Sequence, residues 1–263
     1  MESPGVMEVD GAPATTATLR HLALLNYGHS TAMQVRGGAV RGLSLHLDRM
    51  QAATRELFGV ALDPELIRTR IRAALSKSSS DATVKVYVFE QCAKGSAEGV
   101  STLVVAEAPS WPTELPRSLR STRYERPVAH LKHIGTFGKL YRERIAKAEG
   151  YDTVLLIGAD GMVLECATAN IGFFDGCGVV WPEGPALSGI TMRLLEQRLR
   201  HQGIPSRRTS IPLTQVHEFT GAFTVNSRGL IPVGRIDERP VPLNAPAIAS
   251  LKEVHDALPW DVI

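Results

Sequence analysis

The stretch "HLKHIGTFGK", residues 130–139, decides how the rest of the chain is read. Lys132 stands between apolar Leu131 and Ile134, after the extended "RPVA" and ahead of a helical pattern. A lysine there either reaches water or is held out of it for chemistry. Desolvation favours the neutral amine, which can attack a carbonyl. Phe137, Leu140, Tyr141, Ile145 and Ala148 recur at helical spacing, so the amine precedes a helix over 136–149.

The chain has 263 residues, enough for one large domain or two smaller ones. Hydrophobic residues make up 44% and charged residues 21%, as in a folded protein with a real core. The net charge is +2 with no long basic run, which argues against nucleic acid as a partner. The apolar runs are too short to span a bilayer. "MESPGVMEVDGAPATTA" carries early acids and no apolar segment, so it does not read as a signal peptide. Cys92, Cys166 and Cys177 are odd in number and far apart. They read as reduced thiols of a cytoplasmic protein, with no disulfide framework and no metal site.

"HLALLNYG" and "TAMQVRGGAVRGL" read as strands, the second folded into a hairpin at Gly37-Gly38. "SLHLDRMQAATRELFG" reads as a helix capped by Ser44 and stopped by Gly59. "DPELIRTRIRAAL" is a second helix, with Asp63 as cap and Pro64 in the first turn. "DATVKVYVFEQ" and "STLVVAEAP" are strands, and "SKSSSD" and "AKGSAEG" are loops. The three prolines of "APSWPTELPRSLR" suggest a linker. Beyond it come strands "DTVLLIG", "MVLECATANIGFF" and "GVVWP", helix "GITMRLLEQRLRHQG", and a strand–turn–strand over "GAFTVNSRGLIPVGRID". The fold class is α+β. The expected division is an N-terminal α/β domain over 1–113, a linker over 114–128 and a C-terminal domain over 129–263.

Four further stretches carry candidate chemistry. Glu165 in "VLECATAN" ends a strand; a carboxylate beside a pyridine nitrogen keeps the ring an electron sink. Asn170 follows it and can orient the loop between. In "ALSGITMR", Gly189 opens a helix, which frees the amides of Ile190 and Thr191 for an anion. In "TVNSRGLIPV", Asn226, Ser227 and Gly229 suit a turn whose amides and hydroxyl can close on the same anion. In "SLHLDRM", His46 and Arg49 lie one helical turn apart, and a guanidinium suits a phosphate. Each of these also has a plain reading as a surface, cap or turn residue.

Taken together, their order and spacing resemble the fold-type IV, or class IV, pyridoxal-phosphate enzymes: branched-chain and D-amino-acid aminotransferases and 4-amino-4-deoxychorismate lyases. The resemblance runs from "MEVDG" to "PVGRID". "HLDRM" resembles the family's "HxxRL" helix, which implies that Arg49 binds the cofactor phosphate. "LKHIG" resembles "KHLN", whose lysine bonds to the cofactor; that role passes to Lys132. "LECATANIGF" resembles "xExxxxNxF" and gives Glu165 the ring nitrogen. "LSGITMR" resembles "LPGITR" and gives Ile190 and Thr191 the phosphate. The resemblance implies a two-domain fold, the smaller N-terminal domain α/β and the larger C-terminal one with a β-barrel-like core.

It also implies pyridoxal 5′-phosphate as cofactor, amino-acid and 2-oxo-acid substrates, no metal, and a homodimer with its site at the domain junction. Tyr27, Thr31, Lys85 and Arg228 are the candidate substrate contacts. The chain departs from the pattern at Ser188, at Phe137 where a branched-chain enzyme has a tyrosine, and at Ala32. The expected activity is an aminotransferase. The alternatives are 4-amino-4-deoxychorismate lyase, which "KHIG" and "NSRG" favour, and a relative without turnover.

Overall fold

The alternating apolar residues of 82–90 and 100–107 give strands that pair with each other and with 28–36, and these three form the middle of the first of two compact units. In the computed structural model, which describes residues 5–90 and 99–263, the first unit takes the chain as far as Ser110 together with 131–135 and 259–263. Its elements are strands β1 (Val6–Val9) and β2 (Ala12–Pro13), helix α1 (Thr16–Leu24), and strands β3 (Gly28–Arg36) and β4 (Ala39–Val40). Helices α2 (Leu43–Phe58) and α3 (Pro64–Ser76) and strands β5 (Ala82–Glu90) and β6 (Val100–Glu107) follow. The sheet has seven strands, in the order Asp261–Val262, β4, β3, β5, β6, β1, β2.

Side chains alternate across a sheet. Met33 and Val35 of β3, with Val84, Val86 and Val104, bury against Leu47, Met50, Ile67 and Ile71 of α2 and α3. Burying each such side chain contributes about 1.5–3 kcal/mol. Asp63 caps α3 by accepting from the amide of Glu65 at 2.9 Å, and α2 stops at Gly59 in the left-handed conformation. Ser44 is not the cap of α2: Gly42 holds that position, and the Leu43 amide donates to Asp261 Oδ2 at 2.8 Å instead. "HLALL" is helical rather than extended. Thr15 and Thr18 bond each other's amides at 2.9 and 3.2 Å, a reciprocal cap that starts α1.

The second unit holds 111–130 and 136–258. Its strands are β7 (Arg117–Arg123), β8 (Thr153–Ile157), β9 (Val163–Cys166), β10 (Asn170–Phe174), β11 (Val179–Pro182), β12 (Ser206–Thr209), β13 (Gly221–Asn226), β14 (Gly229–Ile236) and β15 (Arg239–Pro240). Its helices are α4 (Phe137–Ala148), α5 (Ile190–His201) and α6 (Ala245–Asp256). They form a nine-stranded mixed sheet, β12-β11-β10-β13-β14-β7-β8-β9, with β15 on β14. One apolar cluster joins Leu119, Leu155, Cys166, Ile171 and Val233. Another sets Trp181 and Phe223 against α5 and α6.

The division differs from the expected one in two places. Residues 117–123, which fall within the expected linker, form β7, which pairs in parallel with both β8 and β14. Lys132 belongs with the first unit rather than the C-terminal one, because its segment adds to the edge of β3. There the Ser30 amide donates to the Lys132 carbonyl at 2.9 Å, and the Ile134 amide to the Gly28 carbonyl at 3.0 Å. Gly28 is needed for that approach: a Cβ would lie 2.4 Å from the Val88 carbonyl oxygen and 3.2 Å from Ile134. "MVLECATANIGFF" is two strands, since the Cys166 amide closes a turn on the Ala169 carbonyl at 2.9 Å. Cys92 and most of the "AKGSAEG" loop lie outside the described residues. No helix among the described residues is long and apolar enough to cross a membrane.

Candidate active site

In the first unit, the face of β3 that meets α2 carries His29 and Thr31 beside the apolar pair Met33 and Val35. Thr31 is buried, and its Oγ1 accepts from Arg49 Nη2 at 2.6 Å. The same oxygen is hydrogen-bonded to His46 Nδ1, also 2.6 Å away. Burial lowers His46 well below the ordinary imidazole value, and the charges of Arg49 and Lys132 add to this. His29 Nε2 lies 2.8 Å from the Thr54 hydroxyl. Burial, with Arg49 second, lowers its pKa to about 4. Both imidazoles are therefore neutral at pH 7.

Of the expected substrate contacts, Lys85 lies on the opposite face of the sheet, because it pairs with Ala32 while Thr31 pairs with Val86. Its amine is 2.6 Å from Glu107. That face holds a pocket of about 420 Å³ lined by Met7, Leu19, Leu22, Tyr87 and Ile134 as well as Lys85. Tyr27 is half exposed, and its hydroxyl donates to the Leu57 carbonyl at 3.2 Å. The structure thus brings Thr31 to Arg49 and keeps it from Lys85.

In the second unit, Glu165 ends β9 and is 5% exposed. Its Oε1 accepts from Arg126 Nε at 2.7 Å, and its Oε2 from the Leu187 amide at 3.3 Å. Arg126 also donates to the Ala129 carbonyl. Asn170, which starts β10, donates to the Leu187 carbonyl at 2.7 Å. A Cβ on Gly189 would stand 2.0 Å from Asn170 Oδ1, so only glycine fits there. Gly189 is the residue before α5 and makes no side-chain cap. The first amides of α5, on Ile190 and Thr191, have no carbonyl partner in their own helix. Asn226 donates to the Thr168 carbonyl at 3.1 Å and accepts from the Arg228 amide at 2.9 Å, which ties the β13–β14 turn to the loop after Glu165. Ser227 sits in that turn partly buried; Arg228 is exposed.

The donor sets can be tested against pyridoxal 5′-phosphate. A ring nitrogen needs a fixed carboxylate, a phosphate needs uncapped amides, and the aldehyde needs an amine. The second unit offers the first two, in Glu165 and the open amides of α5, so its residues fit the ring nitrogen and the phosphate of that group. Arg126 was not found as a site residue from the sequence. Its only signal was an arginine before a proline, six positions ahead of Lys132. Among the described residues, no group of three or more His, Cys, Asp or Glu could hold a metal ion.

A family model described as amino-transferase class IV matches residues 28–236. A Rickettsia felis protein named "Probable branched-chain-amino-acid aminotransferase" is 33% identical over 83 residues, which is 31% of this chain and 29% of that protein. The match thus spans less than a third of the relative's length. A hypothetical aminotransferase from Mycobacterium tuberculosis in its PLP-bound form aligns with a TM-score of 0.83 at 18% identity, covering 96% of this chain and 98% of that one. 4-Amino-4-deoxychorismate lyase from Pseudomonas aeruginosa aligns with a TM-score of 0.79 at 23% identity, covering 96% and 99%. At these identities the two structures speak for the fold.

Proposed function

The chain belongs to the amino-transferase class IV family, and from that premise we propose that it is a pyridoxal-phosphate-dependent aminotransferase, moving an amino group between an amino acid and a 2-oxo acid. The observation that carries this reading is the buried Glu165 carboxylate, fixed by Arg126 and by the loop that leads into the uncapped α5. Pyridoxal phosphate, when bound, supplies an electron sink for the carbanion left when a substrate Cα loses its proton.

The chain's residues do the rest. Lys132 Nζ would hold the cofactor at its aldehyde carbon and would carry the proton of the substrate Cα. Glu165 holds the proton on the ring nitrogen. The amides of Ile190 and Thr191, the Ser227 hydroxyl and the Arg49 guanidinium bind the phosphate. Gly189 and Asn170 set the helix end, and Asn226 sets the turn. Thr31 acts through Arg49 and is a positioning residue. Lys85, Tyr27 and Arg228 remain the proposed contacts for substrate carboxylates. We further assign the protein to the cytoplasm and to a homodimer, on the family's habit.

A second reading, 4-amino-4-deoxychorismate lyase, is favoured by "KHIG" and by Phe137, which is 80% exposed and offers no phenol. Borohydride reduction of the yellow protein, followed by peptide mapping, should place the adduct on Lys132, and Lys132→Ala should abolish it. A screen of amino donors and oxo-acid acceptors, run beside an assay for pyruvate from aminodeoxychorismate, separates the two activities. Absence of any adduct on Lys132 defeats both.

A further inference from the structure

Helix α4 carries an amine, that of Lys139, on the side that faces Glu165. Ala146 of α4 shares an apolar cluster with Val154 and Leu156, so this face of β8 is the one α4 covers. Glu165 is the cross-strand partner of Leu156. Directly opposed residues of an antiparallel pair share a face, so Glu165 points toward α4. Lys139 precedes Ala146 by two helical turns and lies on the same side of α4. Its amine and the Glu165 carboxylate therefore enter one layer.

The charges agree with this placement. Burial lowers the Lys139 pKa and the Arg126 guanidinium adds to it, with Glu165 and then Glu143 acting the other way. Those carboxylates have other partners. Glu165 accepts from Arg126 and from the Leu187 amide. Glu143 accepts from the Thr153 hydroxyl at 3.0 Å and lies 3.7 Å from Lys147. The Lys139 amine makes no hydrogen bond or ion pair with another described residue. Both carboxylates that act on Lys139 are thus occupied, and its amine is left as a donor for an anion that the described residues do not supply.

We propose that Lys139 is a ligand-binding residue whose amine takes an anionic oxygen of the bound molecule beside the Glu165–Arg126 pair. This rests on the class IV reading. The oxygen has two possible sources, the phenolate of the pyridoxal ring or the carboxylate of the substrate.

Lys139→Met keeps the length and removes the charge; Lys139→Arg restores the charge. Each variant is titrated with pyridoxal phosphate, followed by tryptophan fluorescence and by the visible band. The loaded protein is then titrated with a saturated monocarboxylic acid that cannot react. Loss of a charge-assisted hydrogen bond raises a dissociation constant about ten- to hundredfold. If the oxygen is the phenolate, Lys139→Met weakens pyridoxal phosphate by that factor and moves its absorption band. If it is the carboxylate, only the acid weakens by that factor. Lys139→Arg recovers most of either loss. The unliganded melting temperature should not fall in Lys139→Met, because an unpartnered, desolvated amine is a cost to the fold. Unchanged constants for both ligands overturn the proposal, as does a borohydride adduct on Lys139 itself. A missing adduct on Lys132 in the unaltered protein overturns the class IV reading instead.

Discussion

Glu165 and Asn170 hold the two sides of one residue: the Leu187 amide donates to Glu165 at 3.3 Å, and the Leu187 carbonyl accepts from Asn170 at 2.7 Å. The carboxylate and the start of α5 are thereby fixed to the same stretch of loop. Asn170→Ala should cost about 1–3 kcal/mol by leaving that carbonyl without its donor. It should also weaken the binding of inorganic phosphate and of pyridoxal phosphate together. Gly189→Ala should do the same by a different route, since its Cβ needs the space of Asn170 Oδ1. Isothermal titration of both variants with both ligands is the check; unchanged phosphate affinity would show that α5 does not bind it.

Arg126 and Glu165 form a buried ion pair, with side-chain exposures of 8% and 7%. Removing one partner leaves a charge without its counterion, which costs about 3–5 kcal/mol. Arg126→Met should lower the urea midpoint accordingly, and Arg126→Lys should lower it less. A loss under about 1 kcal/mol would mean that Glu165 finds its charge partner elsewhere.

The buried histidine gives a pH dependence. His29 has a folded pKa of about 4, below its value of 6.5 in the open chain. Above pH 6.5 both states are neutral and the group is silent. As pH falls from 6.5 toward 4 the unfolded chain takes up the proton first, so folding stability is lost across that window. The total is about 3 kcal/mol. His46, lowered in the same direction, adds to the loss. Urea unfolding between pH 7.5 and pH 4 measures it, and His29→Gln should flatten the curve. A wild-type profile already flat over this range contradicts the burial of the ring.

Thr31→Val should keep the shape of the core and remove the oxygen that Arg49 and His46 share. The expected cost is about 1–3 kcal/mol. Phosphate affinity should fall in parallel with that of Arg49→Ala but to a smaller extent. Equal affinity in Thr31→Val and the unaltered protein would show that Arg49 is oriented without it.

The sequence was most informative where the determinants are local. Asp63 and Pro64 announce α3, the apolar spacing announces α4, and Gly189 marks the start of α5. Glu165 and Asn170 were legible as chemistry. Their hold on Leu187 was not, because nothing at Leu187 signals that its backbone has side-chain partners. Arg126 was missed for a related reason: it lies 39 residues from Glu165 in sequence and meets it only in the folded unit. The helix at "HLALL" was misread because its start is written as two threonines rather than a threonine and a glutamate. The strand at 117–123 was obscured by the three prolines that precede it, and the place of Lys132 depends on pairing with a segment about a hundred residues earlier.

That pairing governs the order in which the protein can assemble. The first sheet needs 132–134 along β3 and Asp261–Val262 along β4, and Ile263 fills the same apolar cluster as Met33 and Val35. A chain emerging N-terminal end first makes β3 to β6 early and then waits for the whole of the second unit to be synthesised before its sheet can be finished. Its closing contacts are among the most distant in sequence, and such contacts form slowly. During that delay β3 and β4 carry exposed edges able to pair with other chains. The protein should therefore depend on chaperone protection during synthesis more than a sheet completed by adjacent hairpins.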